Sequence, residues 1–94
     1  MRIIWTDEAL DDLAHILFYY YEHAGPVTVE AVETRIVSQI EALQAFPERI
    51  RKSERVADAR ELVINRLPHI AFIRVIPNGL LVLNVVHTAR KFPG

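Results

Sequence analysis

The sequence predicts an α+β fold in which a helical hairpin packs on a small sheet, with elements in the order β-α-α-β-β-β. Three observations carry this expectation. Two amphipathic helical patterns fill the first half of the chain, and three runs rich in Val, Ile and Leu follow one another in the second. The last two runs are separated only by Pro77, Asn78 and Gly79, a hairpin signal, so the three should form an antiparallel meander.

The elements follow in order. Arg2 to Trp5 is a short strand, because Ile3, Ile4 and Trp5 favour extended backbone. Thr6 interrupts it and is suited to cap a helix, with Asp7 and Glu8 at the positive end of the helix dipole. On a 3.6-residue wheel Leu10, Leu13, Ala14, Leu17, Tyr20 and Tyr21 share one stripe, the expected buried face. Tyr19 falls nearly opposite, beside Asp12 and His15, and is expected to be exposed or held by a partner. Gly25 and Pro26 stop the helix. A second helix starts near Pro26 or Val27, where proline is tolerated, and runs to about Ala45. Val29, Val32, Ile36, Ile40 and Leu43 form its buried stripe, Phe46 closes the apolar contact, and Pro47 prevents continuation. The short Gly-Pro corner makes the helices antiparallel, so that their combined stripe covers one face of the sheet.

The meander strands are expected at Glu61 to Asn65, Ile70 to Ile76 and Leu80 to Val86. Strict alternation puts Ala71, Ile73 and Val75 opposite Ile70, Phe72 and Ile76, and Leu81, Leu83 and Val85 opposite Leu80, Val82 and Val86. Both faces are thus largely apolar, whereas a sheet with one solvated face alternates more cleanly. The helices cover one face; the other is expected to await a partner. Arg74 interrupts this pattern. Burying its guanidinium unpaired is costly, so it should reach the sheet edge, pair with a carboxylate or meet a ligand.

With 94 residues and no cysteine, the chain is expected to form one domain over residues 1–94, without disulfides or thiolate metal sites, in the reducing cytoplasm. No apolar run approaches the roughly 20 residues that cross a bilayer, and no basic leader precedes an apolar stretch, so no membrane role is expected. The net charge of −1 hides a partition. Residues 1–48 carry two basic against nine acidic groups, giving −7, and residues 49–94 carry nine against three, giving +6. Arg49, Arg51, Lys52, Arg55 and Arg60 crowd the segment between the helices and the meander, which suits either a binding surface for nucleic acid or acidic protein, or a solvated face.

No zinc spacing and no glycine-rich phosphate loop is present, so no metal and no cofactor is expected. Neither Ser38 nor Ser53 sits at a strand-to-helix elbow. His87, Arg90 and Lys91 follow the last strand, with Arg66, His69 and Arg74 near them if the hairpin folds across. These are the groups that metal-independent RNA cleavage requires: an imidazole to move protons, and cations to stabilise charge on phosphate oxygens. Equally, His87 can fasten the C-terminus to a carbonyl and Arg90 can pair with a carboxylate of the first helix. His15 lacks a metal-motif neighbour and reads as a surface residue.

One ordered series of residues goes further. Trp5, Thr6, Ala9, Asp12 and Leu13 come first, then Leu43, Phe46 and Pro47, then Arg60-Glu61-Leu62-Val63, then Pro68, His69, Arg74 and Val75, and last Val86, His87, Ala89 and Arg90 as a closing His-x-x-Arg pattern. Over nearly the whole chain this resembles the ParE branch of the RelE/ParE family of toxins from prokaryotic toxin-antitoxin systems. The resemblance implies the same β-α-α-β-β-β fold and a small antitoxin that wraps the toxin, for which Ile16, Tyr19, Arg60, Arg74 and Val82 are candidate contacts. Operator DNA is implied only through that antitoxin. ParE-like members resemble inhibitors of DNA gyrase, with Arg49, Arg51, Lys52, Arg55, Arg74, His87 and Arg90 as candidate target contacts. RelE-like members cleave messenger RNA in the ribosome, which would assign His87, Arg66, Arg90 and Lys91 to catalysis. A partner-binding protein of structural or regulatory role is the third implication. Two departures bear on the target: Phe92 stands where the RelE pattern uses a tyrosine and has no hydroxyl to transfer a proton, and Ile50 precedes Arg51 where many ParE-like chains have Gly-Arg.

Overall fold

The structure, a computed structural model, describes residues 2–89, and Arg90, Lys91 and Phe92 lie outside the described residues. It contains β1 (Arg2–Trp5), α1 (Asp7–Ala24), α2 (Pro26–Ala42), a 3₁₀ turn (Pro47–Arg49), β2 (Arg60–Val63), β3 (His69–Ile76) and β4 (Gly79–His87). The α+β order is the one expected. α2 ends earlier than the periodicity suggested, because Leu43 is followed by turns rather than a further helical repeat.

Thr6 joins the first strand to the helices and the sheet. Its hydroxyl oxygen accepts from the Ala9 N–H at 3.0 Å, capping α1, and its O–H donates to the Leu83 carbonyl at 3.0 Å. Its own N–H donates to the Val82 carbonyl at 3.1 Å. Between the helices Gly25 adopts φ 88°, a left-handed value at which a side chain is strained, and its N–H closes α1 on the Tyr20 and Tyr21 carbonyls.

The sheet order is β1-β4-β3-β2, with β1 parallel to β4 and the other pairs antiparallel. The helical hairpin therefore acts as the crossover that a parallel neighbour requires. Gly79 permits this arrangement: it pairs with Arg2, and a Cβ there would collide with the Arg2 carbonyl. The hairpin turns on Pro77 and Asn78, with Ile76 paired to Gly79. Among the described residues positive φ occurs only at Gly25, Asp58 and Arg66, so the Asn-Gly pair is not used for the left-handed turn expected of it; its glycine serves close strand approach instead.

The main core joins Val32, Ile36, Ile40 and Leu43 to Ala71, Ile73, Leu80, Val82 and Val85. A register shift at Phe72/Ile73 pairs Phe72 with Asn84 and Ile73 with Val82, leaving Leu83 as an extra residue in β4. Beyond this bulge the facing reverses. Val85 joins Leu80 and Val82 under the helices, and Leu83 lies with Val86 on the far side, unlike strict alternation.

Three further expectations are corrected. On α1 the buried stripe is rotated: Ala9, Leu13, Ile16, Leu17 and Tyr20 meet the core, while Leu10, Ala14 and Tyr21 are exposed. Phe46 does not close the core but is 61% exposed beneath the Arg49 guanidinium. The far face of the sheet is not left open, since Ile70, Phe72 and Val86 are buried there against Val56 and Leu83. Val56 arrives on the basic segment, so the chain's own loop contributes to that cover. Among the described residues no helix is long and apolar enough to cross a membrane.

Candidate functional site

Antiparallel pairing places His69, at the start of β3, directly opposite His87, at the end of β4. Their rings meet edge to face with centroids 5.3 Å apart, and Tyr20 approaches His69 from α1 at 6.4 Å. Asp12, His15, Ile16 and Tyr19 on the same helix, with Pro68 and Val85, complete the walls of an open cleft of about 660 Å³. Three of the chain's four histidines thus share one cleft. The fourth, His23, supports its rim by donating from Nδ1 to the Tyr19 carbonyl at 2.8 Å and stacking on the Tyr19 ring at 4.2 Å.

The protonation states follow from the surroundings. The Ala89 N–H donates to His87 Nδ1 at 3.0 Å, so the neutral His87 ring carries its proton on Nε2. His69 is buried and its Nδ1 has no hydrogen-bond partner among the described residues. Burial, with the neighbouring His87 adding to it, holds the His69 imidazole below its usual value and keeps it neutral. Asp12 anchors the helix side of the cleft by accepting at Oδ2 from the Val85 N–H at 2.9 Å and the Asn84 side chain at 3.2 Å. An N–H left without a regular ladder partner near the bulge is thereby satisfied. No group of three or more His, Asp or Glu among the described residues is arranged to hold a metal.

The basic segment is held in place by a buried carboxylate. Glu61 on β2 accepts from Ser53 Oγ at 2.8 Å, Arg51 Nη2 at 3.2 Å and Arg55 Nη1 at 3.3 Å. Burial alone would raise this carboxyl, but the Ser53 hydroxyl, Arg51 and Arg55 outweigh it and hold it below the usual carboxylate value. The Glu61 N–H also donates to the Arg51 carbonyl, and Lys52 bridges to Arg60, so the segment runs along the outer edge of β2.

These contacts sort the residues expected to carry function. Arg74 takes none of the three routes foreseen for it: its guanidinium donates to the Ala57 and Asp58 carbonyls at 3.1 and 3.4 Å, tying down the loop. Arg60 donates to the Ile50 carbonyl at 2.8 Å. Val82 is fully buried and is no partner contact, because the bulge leaves it on the helix side of β4. Ile16, Tyr19 and His87 do meet, in the cleft. Arg66 sits exposed in the β2–β3 turn at φ 67° and does not line the cleft, while Arg90 and Lys91 lie outside the described residues. Arg49, Arg51 and Lys52 face outward, the Arg51 side chain remaining 71% exposed despite its ion pair. The sequence reading did not assign Asp12, His15, Tyr20 or His69 to the site. Their signal was a helical face through Asp12, His15, Tyr19 and Tyr20, set beside two histidines that the hairpin register brings opposite each other.

Comparison with curated protein sequences gives no match. Among solved structures, a chain of the chromosomal ParDE TA system from P. aeruginosa is similar, with a TM-score of 0.82 and 27% identity over 93% of this chain and 95% of that one. Residues 3–92 match the family model of the ParE toxin of the type II toxin-antitoxin system parDE, and with the fold and the closing histidine in the places that family requires, the chain belongs to the ParE toxin family.

Proposed function

We propose that this chain is a toxin that inhibits DNA gyrase by binding it, in the cytoplasm, and that a cognate antitoxin neutralises it. The toxin reading rests on the family match over residues 3–92. The preference for binding over cleavage rests on one observation: Arg51, Arg55, Arg60 and Arg74 engage Glu61 or backbone carbonyls, away from the cleft that holds His87. An imidazole without neighbouring cations moves protons but gives little stabilisation to a phosphorane-like charge. The outward-facing Arg49, Arg51 and Lys52 are the surface offered to the target.

Ribosome-dependent cleavage of messenger RNA is the second reading, favoured by the meeting of His69, His87 and Tyr20 in one cleft. One experiment separates them. Inducible expression is followed by plasmid supercoiling and by primer extension on ribosome-bound message. Gyrase inhibition predicts loss of negative supercoiling with no new RNA ends. New ends that disappear in His87→Ala would move the function to cleavage, and growth without either change would remove both.

A further inference from the structure

The apolar surface left open by the fold lies on α1. Leu10, Phe18 and Tyr21 are 50, 61 and 59% exposed, and exposed Ala14 completes a row at i, i+4, i+8 and i+11. On a helix these positions fall within about 80° of arc, so they form one continuous stripe along the element. This face is separate from the cleft, whose helix residues are Asp12, His15, Ile16, Tyr19 and Tyr20. Single exposed apolar residues are ordinary, but a four-turn stripe containing two aromatic rings marks a contact surface.

The charges beside the stripe state what it accepts. Exposed Asp7, Asp11 and Glu22 border it, and α1 contains no lysine or arginine. A second copy of this chain would bring the same acidic border against itself. We infer that the Leu10–Ala14–Phe18–Tyr21 stripe docks an amphipathic helix of a protein partner, with an apolar face at helical spacing and Lys or Arg along the edge that meets Asp7, Asp11 and Glu22. The pairing is helix against helix, with the aromatic rings as anchors and the ion pairs setting register and encounter rate. If the chain is neutralised as proposed above, the helix belongs to the antitoxin, and this identification rests on that reading.

The test is calorimetric titration of the full-length toxin with the full-length antitoxin encoded beside it, at low and high salt, for the wild type, Phe18→Glu and Asp7→Lys/Asp11→Lys. Phe18 is largely exposed, so the substitution should leave thermal unfolding unchanged while weakening binding by about thirtyfold or more. The double reversal should weaken binding by about fivefold at low salt, with the effect shrinking as salt is added. Wild-type binding retained at full strength by both variants overturns the docking site. Tighter binding by the double reversal overturns the basic edge. A concentration-dependent dimer abolished by Phe18→Glu assigns the stripe to a second copy and overturns the partner helix. Absence of any wild-type binding removes the antitoxin reading itself, a result distinct from the other three.

Discussion

Glu61 and His69 are buried ionisable residues with opposite chemistry and the same pH consequence. The Glu61 carboxyl, surrounded by Ser53, Arg51 and Arg55, titrates below its ordinary 4.5 in the folded chain. Its contribution is present above that pH and is lost as the pH falls through the folded value. His69 is kept neutral by burial and by His87, below its ordinary 6.5. The unfolded chain therefore takes up this proton first, and stability declines as the pH falls below about 6.5. Unfolding in urea at pH 7.5, 5.5 and 4 should show decline in both intervals. In His69→Phe the first decline should flatten while the second, belonging to the carboxylate, remains. An unchanged slope between pH 7.5 and 5.5 would show that His69 is not the group responsible. The sequence displayed both residues but not these states, since a histidine's charge depends on what buries it and a glutamate's on which arginines reach it.

At the scale of elements, periodicity located all six helices and strands and misjudged how two of them face. On α1 Leu13, Leu17 and Tyr20 belong to the inner side, but Leu10 and Tyr21 lie one step around the wheel and remain outside. Because the helix is apolar over an unusually wide arc, composition alone does not say which part of that arc meets the sheet. On β4 the extra residue at Leu83 reverses every later position, and a bulge has no signature in a run of Val and Leu. Placement of β1 was equally hidden, because its partner is about 75 residues away and the decisive feature is the missing side chain of Gly79. Gly79→Ala should therefore destabilise by about 1–3 kcal/mol through overpacking. Hydrogen exchange is the sharper measurement: protection should fall at β1, while the β2–β3 pairs remain protected. Equal protection of β1 in the variant would mean that the parallel pair tolerates a methyl group.

The partition of charge along the sequence becomes a partition in space. Acidic groups lie on the helical layer, from Asp7 and Asp11 on α1 to Glu30, Glu33 and Glu41 on α2, while Arg49, Arg51, Lys52 and Arg55 lie on the segment that edges β2. Two oppositely charged surfaces let one small chain meet a basic helix on one side and an acidic surface on the other, and steer both encounters. Within the basic segment the roles divide by anchorage. Arg51 and Arg55 hold Glu61, so their removal confounds folding with binding. Arg49 and Lys52 are exposed and make no ion pair among the described residues. Arg49→Glu/Lys52→Glu should accordingly leave the melting temperature within about 3 °C, as surface substitutions away from structural contacts do. If this segment meets gyrase, the same double variant should raise the toxin concentration for half-inhibition of supercoiling by about tenfold, most strongly at low salt. Full inhibitory strength in a stably folded double variant would exclude the segment as the target contact and direct attention to the histidine cleft.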